Sequence, residues 1–147
     1  MAQKLASFIQ ESGGFITEED LAKYEAKWRE PVIFTYKDLK IISMSPPSSG
    51  GVTMNQIFKM MEPYDIGQYG HNSEEAIQLF TEAARRAYAD RNYFLGDPDF
   101  VDIPLDILLG ESYLKGRFSD FSFEKATPSD SVSRGNVEIV ESMETTH

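Results

Sequence analysis

Apolar residues return at helical spacing from the start of the chain. Leu5, Phe8 and Ile9 share a face, and Gly13-Gly14 ends the run because glycine enters the left-handed region without a Cβ clash. The pattern restarts behind Thr17, whose hydroxyl can cap a helix. Glu18, Glu19 and Asp20 complement the positive end of that helix, and Ile16 with Leu21 has the spacing of a hydrophobic staple. Leu21, Tyr24 and Trp28 are expected to line its buried face as far as the break at Pro31. β-Branched and aromatic runs then replace the helical period. Val32–Tyr36 and Leu39–Met44 flank the turn-like Lys37-Asp38, which predicts an antiparallel hairpin across residues 32–44.

Pro46-Pro47-Ser48-Ser49-Gly50-Gly51 reads as a loop, stiff and then flexible. Met54, Ile57, Phe58 and Met61 predict a helix from near Val52 to before Pro63. Ser73 is the N-cap of the longest expected helix, with Glu74 and Glu75 in its first turn. Ala76, Leu79, Phe80, Ala83 and Ala87 form its apolar face, broadened by Ile77, Ala84 and Tyr88. Beyond Asp97-Pro98 the pattern shortens, and Ile107, Leu108, Tyr113 and Leu114 indicate brief helices. From Thr127 to about Asn136 turn-forming residues dominate, and the stretch from Thr127 to His147 is expected to be extended or mobile. The expected structure is mostly helical with one hairpin.

Composition narrows the classes of function. The 147 residues suffice for one domain, and a formal net charge of −10 with no block of basic residues argues against nucleic acid as a partner. No apolar run reaches the length of a membrane span, and the chain has no cysteine, so disulfides and thiolate metal sites are out.

Read by pattern alone, the candidate chemistry is sparse. Ser48-Ser49-Gly50-Gly51 at a helix start could offer N–H groups and hydroxyls to an anion, but no Gly-Lys-Ser/Thr follows. Its plainer reading is a close backbone approach that glycine permits. Asp97, Asp99, Asp102 and Asp106 lack the spacing of a calcium loop and read as solvated or capping residues. Arg85-Arg86 and Asp90-Arg91 read as surface or buried-pair scaffolding of the long helix. Trp28 and Met60-Met61 fit core stripes, His71 fits a loop, and a terminal Thr-Thr-His fits a frayed tail.

Four stretches change that last reading. Gly13–Tyr24, Ser45-Pro46-Pro47-Ser48-Ser49-Gly50-Gly51, Tyr88–Phe100 and Glu144-Thr145-Thr146-His147 together resemble the γ-glutamyltranspeptidase family, in order and at about the expected spacing. The departure at Ser45, often proline in the family, alters how stiffly the loop is entered. The resemblance implies that residues 1–144 are the C-terminal part of a large subunit and that residues 145–147 begin the catalytic small subunit. The implied fold is the α/β class, within the α/β/β/α sandwich of the N-terminal-nucleophile hydrolases. It implies self-cleavage between Glu144 and Thr145, after which Thr145 is the nucleophile, its freed α-amine serving as base.

The implied reaction moves a γ-glutamyl group from glutathione or a related amide to water, an amino acid or a peptide, with no metal or organic cofactor. The implied partners are the small subunit and the N-terminal part of the large one, in a periplasmic or secreted parent. Substrate-binding residues are expected mostly outside this chain. Another acyl specificity therefore stays open, such as a poly-γ-glutamate depolymerase or a cephalosporin acylase, as does a non-catalytic module prone to self-association. The resemblance gives His147 no role as base.

Overall fold

The computed structural model describes residues 1–137, and helices dominate it. Helix α1 (Ala2–Glu11) ends at the expected glycines, where Gly13 takes a φ of 82°. Helix α2 (Glu18–Lys23) starts with a complete capping box: Asp20 N–H donates to Thr17 Oγ1 at 3.1 Å, and Thr17 N–H donates to Asp20 Oδ2 at 2.8 Å. It stops sooner than its pattern predicts. Tyr24 is already extended, and Tyr24 and Trp28 lie in solvent instead of lining a buried face. The reason is electrostatic: Lys27 and Arg29 reach across to Asp99, at 2.7 and 2.9 Å, and draw this segment out along the surface.

Strands β1 (Val32–Tyr36) and β2 (Leu39–Ser43) pair antiparallel in the register Val32↔Ser43 to Tyr36↔Leu39. Lys37 makes the turn at a φ of 54°, and its N–H donates to Glu62 Oε1. Alternation puts Val32 and Phe34 against Val52, while Ile33 and Ile42 face outward.

Helix α3 (Gly50–Met61) begins two residues before the expected start and crosses helix α4 (Glu74–Phe94), the most extensive helix contact among the described residues. Ile57 and Met61 face inward as expected, joined by Val52, Gln56 and Met60, whereas Met54 is exposed. Ser73 caps α4 as expected, its Oγ accepting the Ala76 N–H at 3.1 Å. The buried stripe of α4 is Leu79, Glu82, Ala83, Arg86, Ala87 and Asp90, whereas Ile77, Phe80 and Tyr88 are exposed. Helices α5 (Leu105–Leu108) and α6 (Glu111–Arg117) close the core with Leu108, Tyr113 and Leu114, and Phe118 follows them. Tyr64, Phe118, Phe121 and Phe123 extend it as an aromatic cluster with mainly edge-on contacts.

The expectation of a loose stretch from Thr127 needs correction as far as residue 135. Apart from one 3-10 turn, Ser129–Ser131, the backbone there is irregular but held. Thr127 O accepts from Arg85, Ser133 O accepts from Arg117, and Gly135 N–H donates to Asp90. The rest of that expectation, for residues 138–147, falls outside the described residues.

Candidate functional site

Charge on the buried face of α4 organises the polar interior. Arg86 donates to Glu82 Oε2 at 2.6 Å and to Asp120 Oδ1 at 2.7 Å, and Arg85 donates to Glu82 Oε1 at 2.6 Å. Burial works against ionisation of Glu82. Hydrogen bonds from Arg86 and Thr127, with the nearby charge of Arg85, outweigh it and hold the carboxyl below its ordinary range.

One turn further on, Asp90 Oδ2 accepts from Tyr113 Oη at 2.9 Å, Arg117 Nε at 3.2 Å and Gln56 Nε2 at 3.3 Å. Its Oδ1 accepts from Gly135 N at 2.8 Å and meets Arg117 Nη2 at 3.0 Å. Burial, then the neighbouring Asp90 charge and the hydrogen bond to it, push the Tyr113 hydroxyl far above its usual pKa, so it stays a donor.

The Pro46–Gly51 loop delivers α3 against the hairpin. Gly51 N–H donates to Met44 O at 3.2 Å, and a Cβ on Gly51 would overlap Met44 O and stand 2.9 Å from Val32 Cβ. This is the close approach expected of the glycines. Ser49 Oγ accepts from Arg91 Nε at 3.1 Å, tying the loop to α4. Beside the loop opens a cavity of about 910 Å³, lined by Tyr24, Lys27, Arg29, Met44, Ser45 and Ser48 with Asp97 and Asp99 at its edge. The lysine and arginine there are already paired with the aspartates.

Of the residues singled out from sequence, Glu144, Thr145 and His147 lie outside the described residues. His71 sits in an exposed loop, 3.2 Å from Asn72 Nδ2. Asp97 and Asp99 serve ion pairs and a turn, and no group of side chains among the described residues is arranged to hold a metal ion. Arg86 and Asp90 are buried pairs, as one reading of the helix allowed. Glu82, Gln56, Tyr113 and Arg117 were not anticipated, although Glu82, Arg86 and Asp90 recur four residues apart beside Leu79, Ala83 and Ala87.

The gamma-glutamyltranspeptidase family model matches residues 1–147. The chain belongs to that family. It is 42% identical to the glutathione hydrolase proenzyme of Escherichia coli K12 over all of its 147 residues, which cover 25% of that protein. It is 36% identical over 126 residues, 86% of its length and 23% of the relative's, to the acylase ACY 1 proenzyme of Pseudomonas sp. strain SE83. Among solved structures, Helicobacter pylori gamma-glutamyltranspeptidase superposes with a TM-score of 0.81 at 43% identity, over 90% of this chain and 38% of that one. The chain thus spans about a quarter of the length of the curated relatives it matches. Its α/β fold is the matching portion of this N-terminal-nucleophile hydrolase family, and among the described residues no helix is long and apolar enough to cross a membrane.

Proposed function

We propose that residues 1–144 form the C-terminal part of the large subunit of a γ-glutamyltransferase and that Thr145 opens its catalytic small subunit. The observation that carries this reading is the family match across the whole chain, which runs through Glu144-Thr145-Thr146-His147. In maturation, Thr145 Oγ attacks the Glu144 carbonyl carbon, the peptide C–N bond breaks as an ester forms, and water opens the ester. This frees an α-amine with a pKa near ~8, suited to act as base at neutral pH. In turnover the same hydroxyl attacks the γ-glutamyl amide of glutathione or a relative. The amine leaves with a proton, and water or an acceptor amine resolves the γ-glutamyl ester.

The acylase likeness supports a second reading with the same nucleophile and a different acyl group. Under either reading the partner is the remainder of the proenzyme. Its contacts are the outward apolar side chains, such as Ile33, Ile42, Trp28 and Phe100, through which the isolated chain self-associates.

The test is made in the full-length precursor. Thr145→Ala is expected to abolish both cleavage and turnover of a γ-glutamyl anilide, and Thr145→Ser to retain part of each. His147→Ala should leave cleavage largely intact. A Thr145→Ala precursor that still split after Glu144 would remove the nucleophile assignment. Turnover of a cephalosporin side-chain amide in preference to the γ-glutamyl anilide would favour the acylase reading.

A further inference from the structure

Asp90 and Arg117 form an ion pair between α4 and α6, and what the pair grips is backbone. Asp90 Oδ1 takes the Gly135 N–H at 2.8 Å, and Arg117 Nη2 donates to Ser133 O at 2.8 Å while also donating to Arg86 O at 3.0 Å. Arg134, between the two gripped residues, lies over the Tyr93 ring at 3.7 Å. The approach at Gly135 leaves no room for a side chain. A Cβ there would overlap Tyr113 Oη and stand 2.6 Å from both Tyr113 Cζ and Arg117 Cδ. Asp90 is buried and Arg117 half-buried, and such a pair contributes little net stability compared with apolar packing, so stability alone is a weak reason to keep one here. What it supplies is a fixed acceptor for the buried Gly135 N–H and a second hold on the exposed Ser133 carbonyl, in a stretch that among the described residues has no helix or strand partner.

The gripped stretch, residues 133–135, ends ten residues before Thr145 and close to the end of the described residues. We propose that Asp90 and Arg117 are positioning residues for autoprocessing. By fixing residues 133–135 they set the point from which the chain runs on toward Thr145. This rests on the reading of Thr145 as nucleophile. An intramolecular attack is sensitive to placement, a shift of about 1 Å costing on the order of 100-fold in rate.

The experiment uses the full-length precursor with Gly135→Ala, Arg117→Lys, Asp90→Asn and, as a reference, Phe34→Leu, which loosens the separate cluster under the hairpin. Stability is read as Tm in a Thr145→Ala background, where precursor accumulates, and processing as the first-order appearance of subunits on gels. Gly135→Ala and Arg117→Lys are expected to slow processing by roughly 10- to 100-fold. Phe34→Leu, with a comparable loss of Tm, should process within about twofold of the unsubstituted rate. The fraction of each anchor variant that does mature should keep its kcat, because residues 133–144 no longer carry Thr145 after cleavage. Unchanged processing in Gly135→Ala and Arg117→Lys would overturn the proposal, as would equal slowing by Phe34→Leu or a kcat that falls in step with processing. Should Asp90→Asn yield no folded precursor, the other two variants decide. Cleavage of the Thr145→Ala precursor would instead overturn the underlying nucleophile reading, so the two failures are distinct.

Discussion

At the residue scale, charge inside the core separates what the sequence shows from what it hides. Glu82, Arg86 and Asp90 share a stripe with Leu79, Ala83 and Ala87, all at most 3% exposed. A count of apolar positions finds Leu79, Ala83 and Ala87 but widens the face toward Ile77, Phe80 and Tyr88, which are exposed, because each of these outranks a charged residue in hydrophobicity. The side chains that turn the stripe inward, Tyr113, Arg117, Asp120 and Thr127, come from later in the chain, and helical periodicity carries no signal for them. The Glu82 carboxyl is desolvated by burial but more strongly favoured as an anion by Arg86, Thr127 and Arg85, so its folded pKa lies below the ordinary 4.5. That stabilisation is complete above the unfolded value and is lost as pH falls through 4.5 toward the folded one. Glu82→Gln is therefore expected to flatten the fall of Tm below pH 4.5. At neutral pH it should cost about 3 kcal/mol, the low end for breaking a buried pair, because Arg86 keeps Asp120. Melting curves across the acid range check both parts, and an acid limb as steep as the parent's would contradict the assignment.

At the element scale, caps and turns were legible and element length was not. The hairpin, the Ser73 cap and the Thr17 cap follow from local chemistry that needs no distant partner. Helix α2 ends early because Lys27 and Arg29 find Asp99 far along the sequence, and α3 starts early because Gly51 presses onto Met44 and Val32. Neighbouring glycines should therefore respond differently. Gly51→Ala meets Met44 O and the Val32 side chain and should cost about 1–3 kcal/mol. Gly50→Ala meets only Ser48 Oγ at 3.7 Å and should be neutral or slightly stabilising, since alanine loses less entropy in a helix. Denaturant melts of the two variants decide, and equal costs would mean that the junction does not depend on this approach. Thr17→Ala should remove about 1 kcal/mol from α2 alone. Hydrogen exchange of the α2 amides would then quicken with no change in global Tm, because α2 has no buried residue to couple it to the core.

For the whole molecule, the family was legible through motifs spread along the chain, while the proposed processing site, Glu144 and Thr145, rests on the resemblance and lies outside the described residues. The outer surface points the same way. Trp28 and Phe15 are almost fully exposed, and Ile33 and Ile42 stand side by side on the outer face of the hairpin, in a chain that spans a quarter of its relatives' length. Burial of such apolar area favours contact with a protein surface, at about 25 cal/mol for each Å² removed from water. The net charge of −10 opposes contact between like chains, and salt screens that repulsion. The isolated chain is therefore expected to associate reversibly as its concentration rises, and more strongly at high salt than at low. Replacing Ile33 and Ile42 together by threonine keeps the β-branched side chains that suit a strand and removes the apolar pair, so it should weaken association while leaving the hairpin in place. Sedimentation velocity over a concentration series at two ionic strengths measures this. An isolated chain that stays at 16.6 kDa throughout, or a double variant that associates as strongly as the parent, would rule out the hairpin face as the contact.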